Sequence, residues 1–250
     1  WPRGLHVPGG PTRSAHRLLP LRPQRLIALH PTLSGLFFAI QNGFCHSFCM
    51  AMVLQLQGVS KSYGPRRLFD AATVSLAEGQ RVGLVGANGV GKTTLLKMIL
   101  GQEEVDEGAV VFHPSTRLGY LEQHEHIDGA ERLIDYLVRV SSREAWECAT
   151  VASSFDLSPG DLERSFDAFS GGYQMRVRLT AVLVQEPNLL LLDEPTNYLD
   201  LQTVLLLEKV LQSYRGALLL VSHDREFLKN VCTHTLELSH GKLTLYPGHV

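Results

Sequence analysis

The stretch GANGVGKTT, residues 86–94, fits the pattern G-x-x-x-x-G-K-[ST] with Gly86, Gly91, Lys92 and Thr93. Glycines there let backbone N–H groups curl around phosphate oxygens, and a helix starting at the end of the loop adds its positive dipole end. Lys92 is then placed to reach β- and γ-phosphates, and the Thr93 hydroxyl to ligate Mg²⁺. Asn88, Gly89 and Thr94 complete the loop. A second run, LLLLDEP, ends an apolar stretch with Asp193 and Glu194. Adjacent carboxylates point differently, so one can hold metal through water while the other polarises an attacking water. A third, VSHD, puts His223 where it could hydrogen-bond a γ-phosphate. Gln123 in GYLEQ could orient water or Mg²⁺, or do nothing, and Tyr63 in SKSYG could stack on a base. FSGGYQMRVRL adds a Ser-Gly-Gly turn (Ser170, Gly171, Gly172) at the start of a helix, a second geometry suited to phosphate.

These residues need elements to hold them. VLQLQGVSKSYG alternates Leu54 and Leu56 against Gln55 and Gln57, which predicts a half-buried strand before a turn at Gly64-Pro65. ATVSLAEGQ looks like its partner. RVGLVG, residues 81–86, is a short buried strand that feeds the Gly-rich loop. KTTLLKMIL is a helix with Leu95, Leu96, Ile99 and Leu100 inward. Strand, loop and helix are the context a phosphate loop requires. Residues 102–117 are acidic and read as turns, and RLGYLEQ follows as a short strand. Residues 129–168 read as helical. SGGYQMRVRLTAVLVQEP is a helix stopped by Pro187. NLLLLDEP and GALLLVSHD are fully buried strands separated by the helix LQTVLLLEKVLQSY, and a hairpin around Gly241 closes the pattern. The alternation predicts an α/β fold with a mostly parallel sheet covered on both faces.

Composition fits an ordinary globular protein of 250 residues, with 44% hydrophobic and 19% charged residues and a net charge of −2. Nothing in that balance argues for nucleic acid. The distribution is uneven: residues 1–50 carry five arginines and no acid. We read residues 1–51 as a poorly structured leader or as sequence upstream of the true start, with Met50 or Met52 the natural initiator. The apolar run LSGLFFAIQNGFCHSFCMAMVL is broken by Gln41, Asn42 and His46, so we do not read it as a membrane span. Cys45, His46 and Cys49 lack a second ligand pair at zinc-site spacing and are read as chance, as are His124 and His126.

Taken in order, SYG, GANGVGKTT, Gln123, SGG, LLLLDEP and VSHD resemble the ATPase domain of the ATP-binding cassette (ABC) superfamily, over about residues 52–249. The resemblance implies a P-loop fold with an antiparallel β subdomain and a helical signature subdomain at about residues 124–185. It implies Mg²⁺ and ATP as ligands, with Tyr63 stacking on adenine and residues 86–94 as the Walker A loop. Gln123 becomes the Q-loop, Asp193 the Walker B acid, Glu194 the catalytic base, Asp200 the D-loop and His223 the switch. The resemblance also gives the second phosphate turn its use: two domains pack head to tail, and residues 170–172 bind the γ-phosphate of ATP on the partner's Walker A loop. Within the superfamily, DEPTNYLD, SGGYQMRVRL with Arg176, and SHDREFL with its ELSHGKLTLYPGHV ending are similar to the ABC-F class, cytoplasmic ATPases acting on the ribosome. That class joins two such domains by a charged linker. The implied reading is one of them, the first, as a fragment, with a second ABC domain in cis or a homodimer as partner. Phe169 stands where leucine is usual, and GHV where GNY is expected. The alternatives are the ATPase subunit of a membrane transporter, against which TNYLD and the aromatic after SGG speak, and a truncated nucleotide-binding module without activity.

Overall fold

The computed structural model describes residues 51–121, 127, 129–197 and 199–248. Residues 1–50 of the leader, Gln123, His124 and His126 lie outside them.

Two sheets organise the chain. The smaller is antiparallel in the order β2-β1-β4, from β1 (Met52–Tyr63), β2 (Arg66–Ala77) and β4 (Glu107–Phe112). The expected alternation holds: Leu54 and Leu56 are buried, while Gln55 and Gln57 are not. β4 corrects the expectation of turns at residues 102–117. It passes so close over β1 that a Cβ on Gly108 (φ 82°) would run into the carbonyls of Gln57 and Gly58. That glycine, next to an acidic run, gave the strand the look of a turn.

The larger sheet has the order β5-β6-β7-β3-β8-β9, from β3 (Arg81–Val85), β5 (Leu118–Tyr120), β6 (Leu189–Asp193), β7 (Ala217–Val221), β8 (His234–Ser239) and β9 (Lys242–Pro247). All neighbours are parallel except β8 and β9, the predicted hairpin. β6 and β7 are buried on both faces, and their alternate residues feed two cores. Leu190, Leu192, Leu218 and Leu220 pack towards the helices α2 (Leu133–Ser141), α3 (Ala145–Ser153), α5 (Gly171–Leu183), α6 (Leu201–Ser213) and α7 (Arg225–Val231). Leu189, Leu191, Leu219 and Val221 pack towards the small sheet and α1 (Lys92–Ile99). A single turn, α4 (Pro159–Leu162), lies between α3 and α5. Continuous apolar runs of leucine suit strands covered on both sides.

The register decides where the site lies. Leu84 of β3 and Asp193 of β6 both pair with Val221 of β7. The carboxyl ends of three parallel strands therefore finish level, at one edge of the sheet, where ligands of open α/β sheets bind.

Candidate functional site

Residues from all three strand ends line one cleft of about 460 Å³. That size suits a cofactor-sized ligand. Asn88, Gly89, Gly91, Lys92, Thr93 and Thr94 form one wall, and Asp193, Glu194 and His223 the other. Tyr63 and Arg66 stand at the mouth. The cleft thus brings together Tyr63, most of the expected phosphate loop, Asp193, Glu194 and His223, while Gly86 is not among its lining residues. Arg66 went unnoticed, because one of two adjacent arginines after a turn carries no pattern. Its Nη2 donates to the Gly89 carbonyl at 2.7 Å and braces the loop.

Strand β3 ends at Val85, and the loop after it enters α1 with Gly91 as N-cap in the left-handed region (φ 119°). A side chain there would also press on the Phe69 ring. Only glycine combines that dihedral with that closeness. No side chain caps α1, so its first N–H groups remain for a ligand. Lys92 Nζ donates to the carbonyls of Gly86 (2.8 Å) and Ala87 (3.3 Å), which holds the ammonium over the loop.

Opposite, Asp193 ends β6 and Glu194 turns the chain. Glu194 adopts φ 49°, an uncommon conformation for a residue with a side chain and one that concentrates at functional sites. Its N–H donates to the Val221 carbonyl at 2.9 Å. Its Oε2 accepts the His223 backbone N–H at 3.1 Å. Its Oε1 lies 3.4 Å from His223 Nε2 without the alignment of a hydrogen bond, and is buried with no hydrogen-bond partner among the described residues. An unsatisfied buried carboxylate oxygen is costly, and it is available to accept a proton from a water in the cleft. Burial, and then the charge of Glu194, push the Asp193 carboxyl above its ordinary value, with Lys92 and His223 pulling the other way. A divalent cation would reverse that cost, and one carboxylate plus the Thr93 hydroxyl suits Mg²⁺, which keeps several waters. The donors present therefore fit Mg²⁺ bound with a nucleotide phosphate.

Behind the two turns, Thr196 Oγ1 and Ser222 Oγ lie 3.3 Å apart and link the residues after Glu194 to those around His223. Asp224 caps α7 by accepting the Phe227 N–H. At the mouth, desolvation first, then Glu103, raises the pKa of the Tyr63 hydroxyl. Lys61 sits 5.4 Å from the Tyr63 ring centroid.

Ser170, Gly171 and Gly172 are not among the residues lining this cleft. They open α5, a separate element, with Ser170 as an exposed N-cap whose hydroxyl makes no capping bond. Asp200 caps α6, accepting the Thr203 N–H at 2.8 Å. Gln123 follows β5 but falls outside the described residues.

Comparison with known proteins agrees with this architecture. The sequence pattern of the ABC transporter family matches residues 69–197, more than half of the chain. The chain is 34% identical over 203 residues to the ATP-binding protein Uup of Buchnera aphidicola (78% of this chain, 34% of Uup). It is 35% identical over 205 residues to the energy-dependent translational throttle protein EttA of Haemophilus influenzae (79% and 37%). It is 36% identical over 193 residues to the probable ATP-binding protein YheS of Escherichia coli K12 (76% and 30%). The chain thus spans about a third of the length of the curated relatives it matches. Among solved structures, an ATP-binding subunit of an ABC transporter superposes with TM-score 0.68 at 22% identity, covering 78% of this chain and 90% of that one. A nucleotide-free ATP-binding cassette from an ABC transporter gives 0.65 at 17%, covering 79% and 92%. These two establish the fold. No helix among the described residues is long and apolar enough to cross a membrane. With the family pattern over its phosphate loop and both strand-end acids, the chain belongs to the ABC transporter family, as an ATPase domain of the ABC-F class.

Proposed function

We propose that this chain binds Mg·ATP in the strand-end cleft and hydrolyses it when a second ABC domain supplies a signature turn. The observation that carries the reading is the facing of Lys92, on its carbonyl hook, and Glu194, with a free buried oxygen, across one cleft whose lining omits residues 170–172. Tyr63 stacks on adenine; residues 86–94 wrap the phosphates. Thr93, Gln123 and Asp193 would hold Mg²⁺, which would supply positive charge against the phosphates of the nucleotide. Glu194 takes the proton from a water that attacks the γ-phosphorus in line. The bond to the β–γ bridging oxygen breaks, and ADP leaves. His223, fixed to Glu194 through its backbone N–H, reaches the γ-phosphate with its exposed ring. Ser170, Gly171, Gly172 and Asp200 serve nucleotide on the partner, where a hydroxyl, N–H groups and a helix N-terminus stabilise phosphate charge.

The working unit runs from about residue 52 to residue 250, with a helical subdomain at about residues 124–185. Likeness to a translational throttle protein supports a cytoplasmic role on the ribosome. The partner is a second ABC domain, in cis or as a second copy, and not a membrane protein.

The test is ATP binding and turnover by purified chain. Binding saturates at one nucleotide per chain and is lost in Lys92→Ala, and specific activity rises with protein concentration. Turnover independent of concentration contradicts the two-domain site, and absence of Mg·ATP binding contradicts the whole reading.

A further inference from the structure

Arg176, in the second turn of α5, is a buried guanidinium at 8% exposure. Its charge centre lies 4.7 Å from the Tyr173 ring centroid, and Nη2 donates to Thr203 Oγ1 at 3.2 Å. Thr203 then donates twice to Asp200, from its N–H to Oδ1 (2.8 Å) and from Oγ1 to Oδ2 (3.1 Å). The same Asp200 carboxylate comes so near the signature turn that a Cβ on Gly172 would meet Oδ2 at 3.0 Å. Gly172 and the start of α6 therefore lie side by side, with Arg176 as the tie between the two helices.

On the other side of the turn, Phe169 stacks on Tyr173 with ring centroids 5.7 Å apart, and Arg164 lies 4.3 Å from the Phe169 ring. The turn is bracketed by two stacked rings, each covered by an arginine. The phenylalanine that departs from the usual leucine makes this stack possible.

A buried charge is a poor device for stability alone. Desolvation offsets its gains, and an apolar side chain of similar volume commonly does as well. Arg176 Nε is buried without a hydrogen-bond partner among the described residues, which adds to the cost. What an apolar side chain cannot supply is a directed N–H that fixes Thr203, and through it Asp200.

We propose that Arg176 is a positioning residue. By tying α5 to Thr203 and Asp200, it holds the Ser170 hydroxyl and the N–H groups of Gly171 and Gly172 in fixed register with Asp200, so that all are presented together to nucleotide on a second ABC domain. This rests on the reading of residues 170–172 given above. Its consequence is asymmetric: Arg176 governs turnover at the partner's nucleotide and leaves binding at its own cleft untouched.

The test uses the full chain and Arg176→Met, which keeps length and apolar contact with Tyr173 but loses the donor. Affinity for a fluorescent ATP analogue and the melting temperature stay at or above wild type, while turnover falls by about tenfold to a hundredfold, the scale of small misplacements. Arg176→Lys restores part of the activity. Thr203→Val, which cuts the tie from the other side, produces a similar loss, and the double variant adds little to either. Amide exchange rises together at Gln174, bonded to the Ser170 carbonyl, and at Thr203, bonded to Asp200. Turnover of Arg176→Met within twofold of wild type overturns the proposal, as does a fall in ATP affinity that tracks the melting temperature. If wild-type chain binds no Mg·ATP, the proposed function fails by itself. The exchange experiment still decides the tie, because unchanged exchange at Gln174 and Thr203 overturns it.

Discussion

Glu194 combines a left-handed backbone, one oxygen held by the His223 N–H and one buried oxygen left over. That combination is wasteful unless the second oxygen has work to do, since each feature costs stability. Glu194→Gln therefore keeps ATP affinity and lowers turnover by about a hundredfold or more, the range of lost general-base catalysis. Equilibrium binding beside single-turnover chemistry checks both halves. Asp193 is the second wasteful residue. Its pKa in the folded chain is raised by burial and by the charge of Glu194, so the folded state holds its proton more tightly than the unfolded one. Such a group contributes stability on acidification and costs stability when ionised at neutral pH. Asp193→Asn accordingly raises the melting temperature of nucleotide-free chain by a few degrees while abolishing Mg²⁺-dependent turnover. Differential scanning calorimetry with and without Mg·ATP is the check; a lowered melting temperature contradicts the account of Asp193. The identities of these residues were legible from spacing. Their strain, the Arg66 brace and the Thr196–Ser222 link were not, because each arises from a backbone angle or a contact between distant segments.

At the scale of elements, the central strands carry the fold because they face two cores. Leu191→Ala in β6 removes a side chain with no exposure, and costs about 2–5 kcal/mol in urea unfolding. Arg81 plays a different part: its Nε donates to the Val231 carbonyl (2.7 Å) and Nη1 to the Gln212 carbonyl (3.3 Å), satisfying groups at the ends of α7 and α6. The small sheet is tied to α1's trailing loop by charge. Lys61 meets Glu103 at 2.8 Å and Asp106 at 3.3 Å, and donates to the Glu104 carbonyl at 2.7 Å. The bond from Lys61 holds Glu103 below its ordinary 4.5, and the Ser62 N–H holds Asp106 below its ordinary 3.8. Groups with lowered pKa contribute stability above their ordinary values and lose it as pH falls through the folded ones. Lys61, raised chiefly by Glu103, contributes below 10.5 and loses its share in more alkaline solution. The urea midpoint should thus drop below about pH 4.5, and drop less in Glu103→Gln/Asp106→Asn; an equal drop in both removes this cluster from the explanation. Most elements announced themselves by period, yet β4 did not. EGAVVF is only half-buried and opens on a charged residue and a glycine needed for close passage over Gly58.

For the whole molecule, the central feature is the separation of two phosphate-binding turns onto different elements. One lines the cleft with Lys92, and the other opens α5 with a serine hydroxyl left uncapped. Sequence order suggested this through a family resemblance; the tie from Arg176 to Asp200 could be found only where α5 meets α6 in space. A site shared between two domains makes one demand that no single-chain site can meet. Glu194→Gln chain retains a working signature turn but no base, and Ser170→Arg chain retains a base but no working turn. Each alone is expected to be inactive. Mixed in equal amounts with Mg·ATP, they form pairs in which one cleft has its own Glu194 and its partner's Ser170, so steady-state hydrolysis reappears and grows with total protein concentration. A mixture no more active than the sum of its parts, or a Ser170→Arg chain that hydrolyses ATP unaided, would contradict the claim.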